Sequence, residues 1–208
     1  MDGIINRHKS VIFLNGCLPC ESVVSKINLN VVKVSADGAG IHLRPDYIVG
    51  DMDSVSLKYP DSTHIKISDQ STTDFEKCLS FIENRSLCPT LVLGISGGEI
   101  DHVINNIMVL VNYNFPIYFL HQVTIKKTLQ IGLVVTNYVD LKLCVNSVVS
   151  ILPFSTALVS TAGLKWNFNN AALRHDGLRG PRNFSVDPRV QINVHRGRIL
   201  LVVNIEGL

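Results

Sequence analysis

The chain has 208 residues, of which 46% are hydrophobic and 17% charged, with a formal net charge of +2. That balance fits a well-buried globular protein and excludes a disordered one. No basic block is present, and the arginines at 174, 179, 182, 189, 196 and 198 read as a solvated face, so no nucleic-acid partner is expected.

The most apolar long stretch, residues 103–120, is interrupted by Asn105, Asn106, Asn112, Asn114 and Pro116, so no membrane span is expected. Residues 11–14 form an apolar run too short for a signal-peptide core, and the expected location is the cytoplasm. The five cysteines, an odd number at wide spacing, do not form the pattern of a secreted disulfide framework. Cys17 and Cys20 form a C-x-x-C, but no second pair exists to complete a zinc site. They read as incidental thiols.

In chain order, strands are expected at residues 11–14, 31–35, 47–49, 64–67, 91–94 and 117–120. Helices are expected at 19–27, 73–84 and 101–113. Alternation of this kind predicts an N-terminal three-layer α/β domain, residues 1–122, built on a mainly parallel sheet. From residue 123 to 208 the pattern becomes short β-branched segments separated by turn residues, which predicts a C-terminal antiparallel β-sandwich. Only residues 169–173 hint at helix there. His195-Arg196-Gly197-Arg198 reads as a hairpin turn between the last two strands.

Asp51-Met52-Asp53 follows the apolar run Tyr47-Ile48-Val49 and Gly50. Residues two apart on an extended backbone point the same way, so Asp51 and Asp53 would stand together at the carboxyl end of a strand, where open α/β sheets bind ligands. Two carboxylates that close need a cation or a shared proton, and Mg²⁺ carrying phosphate oxygens meets that need. Other acids recur at strand ends: Asp37 before a Gly-Ala-Gly turn, Asp69 and Asp74 around Gln70, and Asp101 after Gly97-Gly98.

Thr73 and Glu76 have the spacing of a capping box, while Lys77 falls on the same helix face as Asp74. The glycine turn opening onto a helix is a place for an anion. On that helix His102, Asn105 and Asn106 form a polar stripe, and Ile104, Ile107, Met108 and Val111 an apolar stripe expected in the core.

Taken together, Ala36-Asp37-Gly38, the stretch from Pro45 through Asp51-Met52-Asp53-Ser54, Asp69-Gln70-Ser71-Thr72-Thr73-Asp74-Phe75-Glu76-Lys77-Cys78-Leu79, Gly97-Gly98 with Asp101-His102, and Gly163-Leu164-Lys165-Trp166 resemble the thiamine pyrophosphokinase family. The resemblance implies an α/β nucleotide-binding domain followed by a thiamine-binding β-sandwich. It also implies a homodimer with each active site across the subunit interface, and Mg²⁺-dependent transfer of pyrophosphate from ATP to thiamine, giving thiamine diphosphate and AMP.

Carried over by residue, it implies Asp51, Asp53 and Asp74 as Mg²⁺-ATP carboxylates and a catalytic Asp101 near the nucleotide or the thiamine hydroxyl, with Asp51 or Asp101 as base. It makes Asp37, Gln70, Lys77, Gly97 and Gly98 nucleotide- or phosphate-binding, and Trp166 and Asn183 thiamine-binding. Two departures stand out. Glu99 occupies a place where the family usually has a basic residue, and Gly180-Pro181-Arg182-Asn183 replaces a Ser/Thr-Ser-Asn run. The departures leave open a catalytically weak thiamine or nucleotide binder. The D-x-D alone leaves open a haloacid-dehalogenase-like phosphatase with Asp51 as nucleophile.

Overall fold

The computed structural model describes residues 7–52, 61–123 and 128–205. They fall into two compact units, one within Gly3–His121 and the other within Gln122–Leu208. The chain is rich in sheet, with one set of strands parallel and the others antiparallel.

In the first unit the strands are β1 (Ser10–Phe13), β2 (Val32–Ala36), β3 (Tyr47–Gly50), β4 (Thr63–Lys66), β5 (Thr90–Leu93) and β6 (Ile117–Val123). Every pairing among them is parallel, in the order β6-β5-β1-β2-β3-β4. β1 and β5 are buried along their whole length, as expected of central parallel strands covered on both faces. The order reverses at β1: β2 is added on one side and β5 on the other. The loops leaving β1 and β5 therefore part at the carboxyl edge, the switch point where open α/β sheets place ligands.

Among the described residues the α-helices beside this sheet are α1 (Glu21–Val24), α2 (Asp74–Asn84) and α3 (Ile100–Val109). α2 buries Phe75, Cys78, Leu79, Phe81 and Ile82, packing against β2 and β3, and the Phe81 ring meets Tyr47 with centroids 4.9 Å apart. Its start is fixed locally. The Thr73 hydroxyl accepts from the Glu76 amide (3.4 Å), and the Glu76 carboxylate accepts from the Thr73 amide (2.9 Å), completing the capping box. Thr73→Ala should cost about 1 kcal/mol. For a chain of this size that lowers Tm by ~2–4 °C, which thermal denaturation followed by circular dichroism will measure.

α3 departs from expectation. Of the apolar stripe expected in the core, Ile104 and Met108 are 53% and 62% exposed, as is Ile100 one turn earlier at 71%, while Ile107 and Val111 are half-buried. The polar stripe lies against a cleft instead, and the burial of this helix comes at its end, where Val109 and Leu110 are nearly inaccessible. No described helix is long and apolar enough to cross a membrane.

The second unit contains two antiparallel four-stranded arrays. Its strands are β7 (Thr128–Val135), β8 (Tyr138–Lys142), β9 (Val148–Pro153), β10 (Ala157–Ala162), β11 (Ala171–Leu173), β12 (Gly180–Phe184), β13 (Arg189–Arg196) and β14 (Ile199–Ile205). One array runs β12-β9-β14-β7 and the other β11-β10-β13-β8.

Two readings are corrected here. Ala171–Leu173 is a strand paired with β10, not helix: the three residues are too few for a helical nucleus, and the β10 ladder supplies their backbone partners. The turn at His195–Arg198 does not close a hairpin, because β13 pairs with β8 and β10 while β14 pairs with β7 and β9. Gly197 there has φ +85°, and a Cβ on it would stand 2.4 Å from the Thr156 carbonyl oxygen, so the chain crosses tightly from one sheet to the other.

Candidate active site

The carboxyl edge of the parallel sheet frames a cleft of about 510 Å³, lined by the loops after β1, β3 and β5 and by the first turns of α2 and α3. The loops interlock. Gly16 N–H donates to the Gly94 carbonyl (3.0 Å) and Cys17 N–H to the Ser96 carbonyl (2.6 Å). A Cβ on Gly16 would stand 2.2 Å from the Gly94 oxygen, and one on Gly97 would stand 2.4 Å from Cys17 Sγ. These glycines let the two strand-end loops touch. Gly98, with φ +84° and nothing within 4 Å of its would-be Cβ, opens toward the cleft.

Three carboxylates converge at one end: Asp37, Asp51 and Asp74 each offer an oxygen, all within 4.8 Å of one another. Asp37 reaches them because it leaves β2 in the left-handed conformation (φ 51°), which aspartate tolerates, with its amide donating to the Val49 carbonyl at 2.9 Å. Gly50 is the spacer: a Cβ there would stand 3.3 Å from both Asp37 Cβ and Asp74 Oδ1. Asp51 Oδ2 accepts from Gln70 Nε2 at 3.2 Å. Oxygen ligands of Mg²⁺ lie ~2.1 Å from the ion, so opposite ligands stand about 4.2 Å apart. The cluster is close to that span, and an all-carboxylate donor set suits a hard cation. Asp53 lies outside the described residues.

Lys77, only 4% exposed, donates from Nζ to Asp74 Oδ1 at 2.9 Å. Burial is the largest single influence on its charge and pulls its pKa down. The Asp74 hydrogen bond and the charges of Asp74, Asp51 and Asp69 outweigh it, and the pKa is raised overall. The ammonium is thus a fixed positive charge under an acidic rim, and the Asp74–Lys77 pair belongs to the cleft rather than to the open surface. Asp69 stays outside the carboxylate group. The Ser71 amide, the Ser71 hydroxyl and Thr72 Oγ1 all donate to it, and these bonds hold its pKa down to about 2.

At the glycine turn Glu99 is the N-cap of α3 without a side-chain capping bond, and it lines the cleft with His102, Asn105 and Asn106. Asp101 is exposed beside this lining, its Oδ1 accepting from the His102 amide at 2.9 Å.

In the second unit Trp166 is 55% exposed, not a core residue. Lys165 Nζ sits 4.7 Å from its ring centroid, and the Phe184 ring lies 6.2 Å away. Asn183 is buried beneath it. Its Oδ1 accepts from the amides of Trp166 (3.2 Å) and Phe184 (2.8 Å), and its Nδ2 donates to the Trp166 carbonyl (2.7 Å). Asn183 therefore fixes the backbone that carries the indole.

Residues 25–119 match the family model described as the thiamin pyrophosphokinase catalytic domain, a span holding Asp37, Asp51, Asp74, Lys77 and the glycine turn. The chain is a relative of the thiamine pyrophosphokinases. Thiamine pyrophosphokinase 1 of Oryza sativa subsp. japonica is 29% identical, the match covering 75% of this chain and 65% of that protein. Thiamine pyrophosphokinase 2 of Arabidopsis thaliana is 28% identical, over 67% of this chain and 58% of that protein. The chain thus spans less than two thirds of the length of these plant relatives.

Thiamine pyrophosphokinase from Bacillus subtilis superimposes with a TM-score of 0.78 at 18% identity, covering 95% of this chain and 99% of that one. Yeast thiamin pyrophosphokinase gives 0.75 at 23%, covering 97% and 87%. At these identities the two solved structures share a fold with this chain.

Within the thiamine pyrophosphokinase match, the structure places Asp51, Gln70, Asp74, Lys77, Gly97 and Gly98 in the cleft wall, with buried Asp37 outside the lining but reaching the Asp51 and Asp74 carboxylates. It leaves Asp101 outside the lining. Asn15, Thr72, His102, Asn105 and Asn106 line the cleft without having been assigned a role from sequence. The helical spacing of the last three was the one signal that could have done so.

Proposed function

We propose that this chain is a thiamine diphosphokinase, transferring the β,γ-diphosphoryl unit of ATP to the thiamine hydroxyl and releasing thiamine diphosphate and AMP. The observation that carries this reading is the meeting of Asp51 and Asp74, in the wall of a cleft that also holds Lys77, Gly97 and Gly98, with the buried carboxylate of Asp37. Transfer of this kind is catalysed by positioning and charge neutralisation rather than by a covalent intermediate.

In this reading Asp51, Asp53 and Asp74 would hold Mg²⁺, with Asp37 and Gln70 behind them, and the ion, when bound, would supply charge neutralisation for the phosphate oxygens. Lys77 offsets charge on the transferred group, and the Gly97-Gly98 backbone receives phosphate. The thiamine oxygen bonds to the β-phosphorus and loses its proton to Asp51 or Asp101. The bond from the β-phosphorus to the bridging oxygen breaks, and that oxygen leaves with AMP. Trp166 presents an indole face to the cationic thiamine, and Asn183 acts through Trp166.

The same reading takes residues 1–122 as a three-layer nucleotide-binding domain, residues 123–208 as a thiamine-binding sandwich, and the working protein as a cytoplasmic homodimer with each active site across the subunit interface. The test is AMP release from ATP with thiamine and Mg²⁺ present or singly omitted, in wild type and Asp53→Ala. AMP should require both additions and should vanish in the variant. Release of inorganic phosphate without AMP would favour the phosphatase. The Glu99 carboxylate in the cleft wall supports a second reading, a binder without turnover, which thiamine binding without AMP would establish.

A further inference from the structure

Ser96 immediately precedes the Gly97-Gly98 turn, and its Oγ lies 2.6 Å from Nδ1 of His121, within β6 and 25 residues away in sequence. The segment around Ser96 is held at two further points. The Cys17 amide donates to the Ser96 carbonyl (2.6 Å), and Asn106 Nδ2 donates to the Ile95 carbonyl (3.2 Å). Two of these three ties use backbone acceptors that any residue would supply. The third depends on side-chain chemistry at both ends.

His121 is half-buried, and burial lowers its pKa, which keeps the ring neutral near pH 7. A neutral imidazole at Nδ1 can receive the Ser96 hydroxyl or donate to it, so the bond forms in either tautomer. The pair is well placed to set where the turn stands. With Gly97 at φ +99° and Gly98 at φ +84°, no side chain on the turn itself restricts these two residues.

We propose that His121, through Ser96, is the positioning residue of the Gly97-Gly98 turn for the polyphosphate of the nucleotide, an inference that rests on the nucleotide-binding reading of the cleft. His121 does not touch the reacting atoms. It fixes the loop whose backbone receives them.

The test uses the full-length chain and two readouts. The first needs no activity: hydrogen exchange of the Cys17 amide, which is bonded to the Ser96 carbonyl and so reports where that loop stands. The second is the KM for ATP against kcat in the AMP assay. Asparagine places an amide where Nδ1 stood, whereas glutamine places one where Nε2 stood. Ser96→Ala and His121→Gln should each speed Cys17 exchange about 10-fold, the loss of one hydrogen bond's worth of protection. Each should raise KM ~5–10-fold with kcat within about 2-fold, the signature of lost positioning. His121→Asn should stay near wild type, and the Ser96→Ala, His121→Gln double variant should be no worse than either single one.

Unchanged exchange in Ser96→Ala and His121→Gln, or equal loss in His121→Asn and His121→Gln, overturns the inference. Faster exchange with unchanged KM also overturns it, leaving a tie without a role in nucleotide binding. A wild type without thiamine-dependent AMP release overturns the proposed reaction. Titration of ATP onto wild type and the two loosened variants then decides the inference alone: weaker binding upholds it, and equal or absent binding overturns it.

Discussion

Asp74→Asn should reduce thiamine-dependent AMP formation by at least ~100-fold, the scale seen when one preorganised electrostatic group is removed from a transferring centre. The substitution keeps the shape and, at the first turn of α2, the capping box that Thr73 and Glu76 form without it. It removes one of three carboxylates whose oxygens converge within 4.8 Å, and it removes the charge that Lys77 faces at 2.9 Å. Both consequences act on the proposed reaction: a bound cation would lose a ligand, and the buried ammonium would lose its nearest counter-charge.

Removing one partner of a buried ion pair costs ~3–5 kcal/mol. With Asp74 itself 33% exposed and the amide oxygen still able to accept from Lys77, the stability loss should fall below that range. Thermal denaturation beside the AMP assay separates the two effects. A variant that melts within a few degrees of wild type and is nearly inactive fits the metal-and-phosphate role. One that retains more than about a tenth of the activity would show that the Asp37–Asp51–Asp74 group is not the reacting centre.

Gly97→Ala should strongly destabilise the first unit. Its Cβ would stand 2.4 Å from Cys17 Sγ and 2.7 Å from Cys17 N, while the same Cys17 amide is bonded to the Ser96 carbonyl. The clash therefore falls on backbone as well as on a side chain, and the loops after β1 and β5 must part. Backbone strain at φ +99° adds to it. Together these should cost about 3 kcal/mol, a fall in Tm of ~6–12 °C, with AMP formation lowered because the turn no longer stands in the cleft wall. Gly98→Ala is the internal comparison. Its φ is +84° but its would-be Cβ meets nothing within 4 Å, so the strain alone should cost about 1 kcal/mol. Equal melting temperatures for the two variants would contradict the interlocked loops.

What the sequence determined by itself was local. Tyr47-Ile48-Val49 reads as a buried strand because three apolar residues end at Gly50, and it is one. Thr73 and Glu76 announce the start of α2 because a capping box needs only four consecutive residues. The acids at strand ends were visible for the same reason: each follows its own apolar run. The one-residue signals misled where a distant partner decided. Gly180–Phe184 holds no β-branched residue, yet it is a strand, because β9 supplies its ladder across a register shift that accommodates the interruption. Ile104 and Met108 have core spacing, but the face of α3 toward the cleft is the polar one.

Only the tertiary structure could bring Asp37 to Asp51 and Asp74. That needs β2 paired beside β3, Gly50 small enough to leave room, and Asp37 itself left-handed. Only it could join Ser96 to His121 across the β5–β6 pairing. Helix caps and strand periodicity are set within a turn or two of chain, where neighbours in sequence are neighbours in space. A binding cleft is assembled from strand ends whose adjacency is a property of the sheet order, and no stretch of sequence carries that order on its own.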